Sequence, residues 1–305
     1  MSVIERKDVI PIKDYVIRVL SSDGTVRGVA AYTAHLVSEL QKRHHTWPVA
    51  SAALGRTATV AAMMGAMLKE EEHRVTIRVQ GAGPLGQIVV QADGRGSVRG
   101  YVGNPSVDLP LNEKGKLDVA QAVGAGMLHV IKDVGLREPQ RGSIQLISGE
   151  LGEDFTAYFT ESEQIPSAVG VGVLVDRDAS ILTAGGFIIQ VLPDAREETI
   201  TQLEERIAAI SSVTDRFQGG ITPEGLLQEI MGEIRILQQT PLRFQCTCSR
   251  SRLGAILRSM GKEELKSLIE QGEAEAICHF CNEKYLFNRE ELEKMLQELE
   301  QEGKE

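Results

Sequence analysis

The four cysteines of this 305-residue chain fall in two tight pairs: Cys246-Thr247-Cys248, then 29 residues, then Cys278-His279-Phe280-Cys281. Paired thiolates at short spacing suit zinc, which takes four soft donors at the corners of a tetrahedron, about 2.3 Å from each sulfur. A C-x-x-C turn lets two sulfurs converge while the following backbone N–H groups point at them. In C-x-C, residues i and i+2 share a face of extended chain, so Cys246 and Cys248 reach one metal only if Gln245 to Ser249 bends. Two other readings use the same residues. They could form two structural disulfides, which a reducing compartment disfavours, or be four unrelated thiols, which their clustering disfavours. His279 sits inside the second pair, but four thiolates saturate a zinc ion, so it reads as a bystander.

The elements that must hold these pairs are small. Between them a helix is expected over about Lys262 to Gln271, with Leu265, Leu268 and Ile269 facing inward. Tyr285-Leu286-Phe287 reads as a strand, and Asn288-Arg289-Glu290-Glu291 as a capping box for a last helix bearing Leu292, Met295, Leu296 and Leu299. About sixty residues with so few large apolar groups hold little core, so a bound zinc would contribute much of the folding free energy. Residues 241–305 carry ten Lys/Arg against thirteen Asp/Glu, a net −3, and the whole chain carries −10. That balance repels phosphate backbones and argues against a nucleic-acid partner.

The remainder is an ordinary globular chain, 42% hydrophobic and long enough for one large core plus a satellite module. Met1 to Tyr15 mixes charges with no apolar run, so no signal peptide and a cytoplasmic location are expected. Val49 to Leu68 has Arg56 as its one charge, but its Ala, Gly and Thr content suits a buried helix packed on a sheet better than a membrane span. No membrane partner is expected.

Read in order, Tyr15 to Tyr32 forms a hairpin around Ser22-Asp23-Gly24. Thr33 then caps a helix to about His45, and Pro48 opens the Ala-rich helix. His44 and His45, being adjacent, point to different faces and make a poor metal pair. Val75 to Val79 and Gln87 to Val90 alternate as strands joined by Gly81-Ala82-Gly83-Pro84-Leu85-Gly86. That linker matches G-x-G-x-x-G, yet a strand follows where a dinucleotide site needs a helix, so it reads as a hairpin turn. Further expectations are a strand over Ser97 to Val102, a helix over about Leu117 to Val134, and strands over Ser143 to Ile147, Asp154 to Phe159, Val169 to Val175 and Phe187 to Leu192. Together they predict an antiparallel α+β core domain over 1–193. No G-x-x-x-x-G-K-[ST], nucleophile elbow or H-E-x-x-H occurs, which argues against ATP-driven, serine-hydrolase and zincin chemistry.

After Pro193 the pattern turns helical. Ile200, Leu203, Ile207 and Ile210 share one face, and Thr222-Pro223-Glu224 starts a helix carrying Leu226, Leu227 and Ile230. Residues 194–240 are expected to form a helical linker, its stripes docked on the first domain, ahead of a cysteine module over 241–305.

Phe244-Gln245-Cys246-Thr247-Cys248-Ser249-Arg250 followed by Cys278 to Phe287 resembles the redox-switch domain of the 33 kDa chaperonin family, oxidation-activated heat-shock holdases. Arg43-His44-His45, Pro48, Ala53-Leu54-Gly55-Arg56 and the Gly81 to Gly86 run are similar to core motifs of the same family, so the resemblance covers nearly the whole chain. It implies a cytoplasmic, non-enzymatic chaperone that is inactive while reduced and holding one Zn2+ on Cys246, Cys248, Cys278 and Cys281. It also implies oxidation to Cys246–Cys248 and Cys278–Cys281 disulfides with loss of zinc. The module and linker then unfold, homodimers form, and unfolding client proteins are held without ATP. The stripe residues Ile200, Leu203, Ile207, Ile210, Leu226, Leu227 and Ile230 are the expected client-binding surface. A C-x-C disulfide is tight and strained, hence easily reduced, which suits a reversible switch. Two other classes use the same four thiols: a zinc-ribbon regulator of nucleic acid, and a zinc enzyme, which four thiolates leave without an open position for water.

Overall fold

The computed structural model of the chain describes residues 13–302; the reading of the opening segment as free of a signal peptide falls mostly on residues 1–12, outside them. The chain starts β1 (Tyr15–Ser21), β2 (Val26–Tyr32), α1 (Ala34–His44), α2 (Pro48–Ala66), β3 (Arg74–Gly81), β4 (Gln87–Asp93) and β5 (Ser97–Val102). Next come α3 (Val119–Val123), β6 (Gly126–Asp133), β7 (Gln140–Gln145), α4 (Gly152–Ala157) with a π-helical turn (Tyr158–Ser162), β8 (Ser167–Val175) and β9 (Ile181–Val191). Then follow α5 (Glu197–Ala208), α6 (Val213–Gln218), α7 (Pro223–Met231), β10 (Ile234–Pro241) and β11 (Arg243–Phe244). The last elements are α8 (Arg250–Ser259), α9 (Lys262–Gln271), β12 (Glu273–Ile277), β13 (Lys284–Asn288) and α10 (Arg289–Glu302). The fold is α+β, as expected, and it divides into two compact units between Gln245 and Cys246.

In the first unit a five-stranded antiparallel sheet, β10-β1-β2-β9-β8, and a six-stranded sheet, β11-β5-β4-β3-β6-β7, both pack on α2. Every residue of α2 except Pro48 and Arg56 is buried, because a helix of Ala, Gly and Thr is narrow enough to fit between two sheets. No helix among the described residues is long and apolar enough to cross a membrane. The Gly81 to Gly86 run is the turn of the β3–β4 hairpin; a Cβ at Gly81 would meet the Val123 carbonyl oxygen at 1.9 Å, so close backbone packing accounts for that glycine.

Several local expectations are corrected. Thr33 precedes α1 but does not cap it: fully buried, its hydroxyl lies 2.7 Å from that of Thr59. Asp14 does the capping instead, accepting the N–H groups of His35 (3.1 Å) and Leu36 (2.6 Å) on its two carboxylate oxygens. The helix expected over 117–134 stops at Val123, since Gly124 takes φ 70° and the alternating Met127 to Lys132 pairs as a strand with β3. The strand expected over Asp154 to Phe159 is helical. Asp154, fully buried, gathers the N–H groups of Ile147, Ser148, Gly149 and Leu151, and this ordered loop starts α4.

The stripes of 194–240 dock on the first unit as expected, but the stretch is not helical throughout and ends in strand β10. Its helices α5, α6 and α7 cover the face of the five-stranded sheet opposite α2, where Leu203, Phe217, Leu226, Leu227 and Ile230 are buried with Ile17, Val19, Val26, Ala30, Phe187 and Ile189. Glycines make the sockets. A Cβ at Gly28 would meet Met231 Sδ at 2.5 Å, and one at Gly185 would meet the Phe217 ring at 2.4 Å. β10 then joins the sheet as an edge strand against β1. The chain stays tied to this unit through Gln245, whose N–H donates to Val98 C=O at 3.0 Å, while Arg43 lies 4.5 Å over the Phe244 ring.

Candidate metal centre

The second unit has a small core: Leu253, Leu257, Leu265, Ile269, Ala274, Phe287 and Leu292. Strands β12 and β13 pair as an antiparallel hairpin, and the C-x-x-C segment is its turn. The turn closes by Cys278 N–H donating to Glu283 C=O (3.0 Å) and Asn282 N–H to Cys278 C=O (2.8 Å), with Asn282 at φ 56°, a region that Asn tolerates. This places both sulfurs on one side of the turn. The C-x-C segment is irregular chain leading into α8, whose first turn is capped by the Ser249 hydroxyl accepting Arg252 N–H. Arg252 also donates to the carbonyl and hydroxyl of Thr247, both at 3.1 Å, holding the residue between the first two cysteines.

These two segments bring the four Sγ atoms within 4.8 Å of one another, and all four are thiols. Cys246 and Cys278 sulfurs are 3.7 Å apart, those of Cys248 and Cys281 3.4 Å. A tetrahedral zinc site with bonds of about 2.3 Å sets its sulfurs about 3.8 Å apart, so the donor set fits such an ion in number, chemistry and spacing. Burial pushes the Cys278 thiol up; it pushes Cys281 up as well, with the neighbouring sulfurs adding to the shift. Backbone N–H groups of Phe280 and Cys281 at the Cys278 sulfur, and of Glu283 at Cys281, work the other way and favour thiolate. Four sulfurs this close do not all ionise on their own. A dication supplies the missing charge.

Two features of the site were not legible as motifs. The Tyr285 hydroxyl lies 3.3 Å from Cys248 Sγ, and that contact pushes its phenol up to about 12. Arg250 braces the site from behind: it lies 4.6 Å over the Phe287 ring, bonds both carboxylate oxygens of Glu291 (2.9 and 2.8 Å) and donates to Leu286 C=O. Glu291 also accepts Asn288 N–H on its carboxylate and donates its own N–H to the Asn288 side-chain oxygen, the reciprocal capping box expected for α10. Of the residues expected to bind clients, Leu203, Leu226, Leu227 and Ile230 are buried in the first unit and Ile207 and Ile210 pack partly buried beside them. Ile200 is half-buried.

Proteins built in the same way, an α+β domain followed by a small four-cysteine module, are found among the heat-shock chaperones. The family model described as Hsp33 protein matches residues 14–288. The 33 kDa chaperonin of Bacillus subtilis (strain 168) is 53% identical over 283 residues, 92% of this chain and 97% of the relative. That of Geobacillus kaustophilus is 54% identical over 288 residues, 93% and 98% of the two chains. The crystal structure of the 33 kDa chaperonin (heat shock protein 33 homolog) from Thermotoga maritima aligns with a TM-score of 0.89 at 37% identity, covering 94% of this chain and 98% of that one. The chain belongs to the Hsp33 family of 33 kDa chaperonins.

Proposed function

We propose that the chain is a redox-gated, ATP-independent holdase, active toward unfolding proteins when oxidised and at rest when reduced. The observation that carries this is the cluster of four sulfurs held together by a unit whose own core is only a few side chains. Bound Zn2+ would keep all four sulfurs as thiolates, the form oxidants attack, and would cross-link the two cysteine segments. Cys246 with Cys248, and Cys278 with Cys281, would each give two electrons to one molecule of hydrogen peroxide as an S–S bond forms, and each peroxide would take two protons from solvent and leave as two waters. Each bond removes two donors at once. The metal-linked stability so lost, on the order of 10 kcal/mol, exceeds what the core can replace, and the unit melts.

In this reading α5, α6 and α7 loosen with heat and uncover Leu203, Leu226, Leu227 and Ile230, apolar surface rimmed by charge that suits unfolded chains. We place the protein in the cytoplasm as a homodimer when oxidised. The test follows light scattering of a heat-aggregating client while zinc release is read with a chromogenic chelator. Peroxide at raised temperature should release one zinc per chain and suppress scattering. Retained zinc, or release with no protection, rejects the proposal. Peptide mapping of the oxidised chain tests the pairing separately.

A further inference from the structure

Cys278 and Cys281 sit in a hairpin turn whose own backbone N–H groups, from Phe280, Cys281 and Glu283, reach their sulfurs. Cys248 lies in irregular chain, and the group beside it comes from the other cysteine segment: the Tyr285 hydroxyl, 3.3 Å from Cys248 Sγ. Strand β13 aims this side chain. Tyr285 and Phe287 alternate onto one face, opposite Ala276 and Ala274 of β12, and these small partners leave room for both rings. Phe287 fills the core of the second unit, while Tyr285 and Cys248, both half-buried, pack against that core. Packing of the ring therefore sets where the hydroxyl meets sulfur.

A thiol and a phenol can each donate a hydrogen bond, but a thiolate only accepts. With Cys248 a metal-bound thiolate, the direction is fixed and the Tyr285 O–H donates to sulfur. Such a bond is charge-assisted, and it draws electron density from the sulfur, which stabilises the thiolate and makes it a poorer nucleophile. We propose that Tyr285 is a positioning residue for the centre: its hydroxyl holds the Cys248 thiolate among the metal donors and lowers the reactivity of that sulfur toward electrophiles. The inference rests on the zinc reading above and adds to it a side chain that sets how readily one donor is lost. Partners of this kind, one shell out from the metal, commonly change metal affinity tenfold or more. The same bond ties the C-x-C segment to the β12–β13 hairpin by a contact separate from the shared ion.

The test uses the full-length reduced chain, with zinc affinity read by competition with a chromogenic chelator. Trp47, the single tryptophan, lies in the first unit and checks that each variant leaves that unit folded. Tyr285→Phe keeps the ring and loses the hydroxyl, and Y285F should bind zinc about tenfold more weakly than the native chain. The effect should vanish where the acceptor is gone, between C248A and C248A/Y285F, and persist between C246A and C246A/Y285F. A packing role would cost the same in all three backgrounds. Equal affinity of the native and Y285F chains, or an undiminished loss in the C248A background, overturns the proposal. Should the three-cysteine variants fail to hold zinc, brief iodoacetamide treatment of the zinc-loaded native and Y285F chains gives a second readout. The attacking sulfur displaces iodide, and mass spectrometry of singly labelled chains locates it. Labelling of Cys248 relative to the other three cysteines should rise about fivefold in Y285F, and an unchanged ratio also overturns the proposal. A native chain that holds no zinc rejects the metal reading itself, whereas zinc held equally by both chains rejects this inference alone.

Discussion

The two units hold their shape by different means. In the first, a wholly buried helix lies between two sheets and three further helices sit in fitted sockets, so stability is spread over dozens of apolar contacts. In the second, seven buried core residues among those described are supplemented by four sulfurs close enough together to hold one ion. Distributed packing loses stability one side chain at a time, whereas stability concentrated in a metal is lost in one step. On the function proposed above, an oxidant would act on the unit that fails at once while the other persists.

The comparison breaks most directly by removing the metal. A chelator under reducing conditions should unfold residues 246–302, seen as lost far-UV circular dichroism and new protease sites there, with loss on the order of 10 kcal/mol of metal-linked stability. Trp47 fluorescence should not move. A tryptophan change of the same size would show that the units do not fail separately. Next in size is Cys278→Ser, which leaves three thiolate donors; zinc affinity should fall and the second unit should be partly unfolded even when reduced. Native zinc content with an unchanged melting profile would contradict this.

Acid sharpens the same point. Thiols whose ionisation is pushed up must lose protons to the metal, so zinc affinity should weaken roughly tenfold per displaced proton for each unit fall in pH. Affinity flat with pH would mean that the sulfurs are not the donors. In the first unit, Gly185→Ala puts a methyl group against the Phe217 ring and the Ala31 carbonyl and should cost about 1–3 kcal/mol. It should displace α6 and give partial client protection in the reduced, zinc-loaded protein. Arg250→Gln should have the smallest effect, a slightly faster zinc release, because its ion pair with Glu291 is half exposed.

Much of this was legible in the sequence because it is local. The four donors announce themselves by spacing, α9 matches Lys262–Gln271, and the capping box marks the start of α10. What escaped is set by distant partners. β10, Ile234-Arg235-Ile236-Leu237-Gln238-Gln239-Thr240-Pro241, carries no clear alternation because it is an edge strand with most side chains in solvent. The cap of α1 comes from Asp14, across a whole hairpin, and α4 depends on a buried carboxylate collecting loop N–H groups. Residues 194–240 read as a linker because helix stripes do not reveal which sheet they cover. Tyr285 and Arg250 reach the sulfur site only through the pairing of β12 with β13 and the placement of α8.

The sulfur contacts of the centre span 32 and 33 residues of chain, enclosing α8, α9 and β12 in one loop. The proposed disulfides would instead join residues two and three apart in sequence. Closing so short a ring removes little freedom from an unfolded chain, whereas a long-range tie removes much more. On that pairing, oxidation trades one girdle around the whole module for two small knots, and the new covalent bonds cannot restore the constraint that was given up.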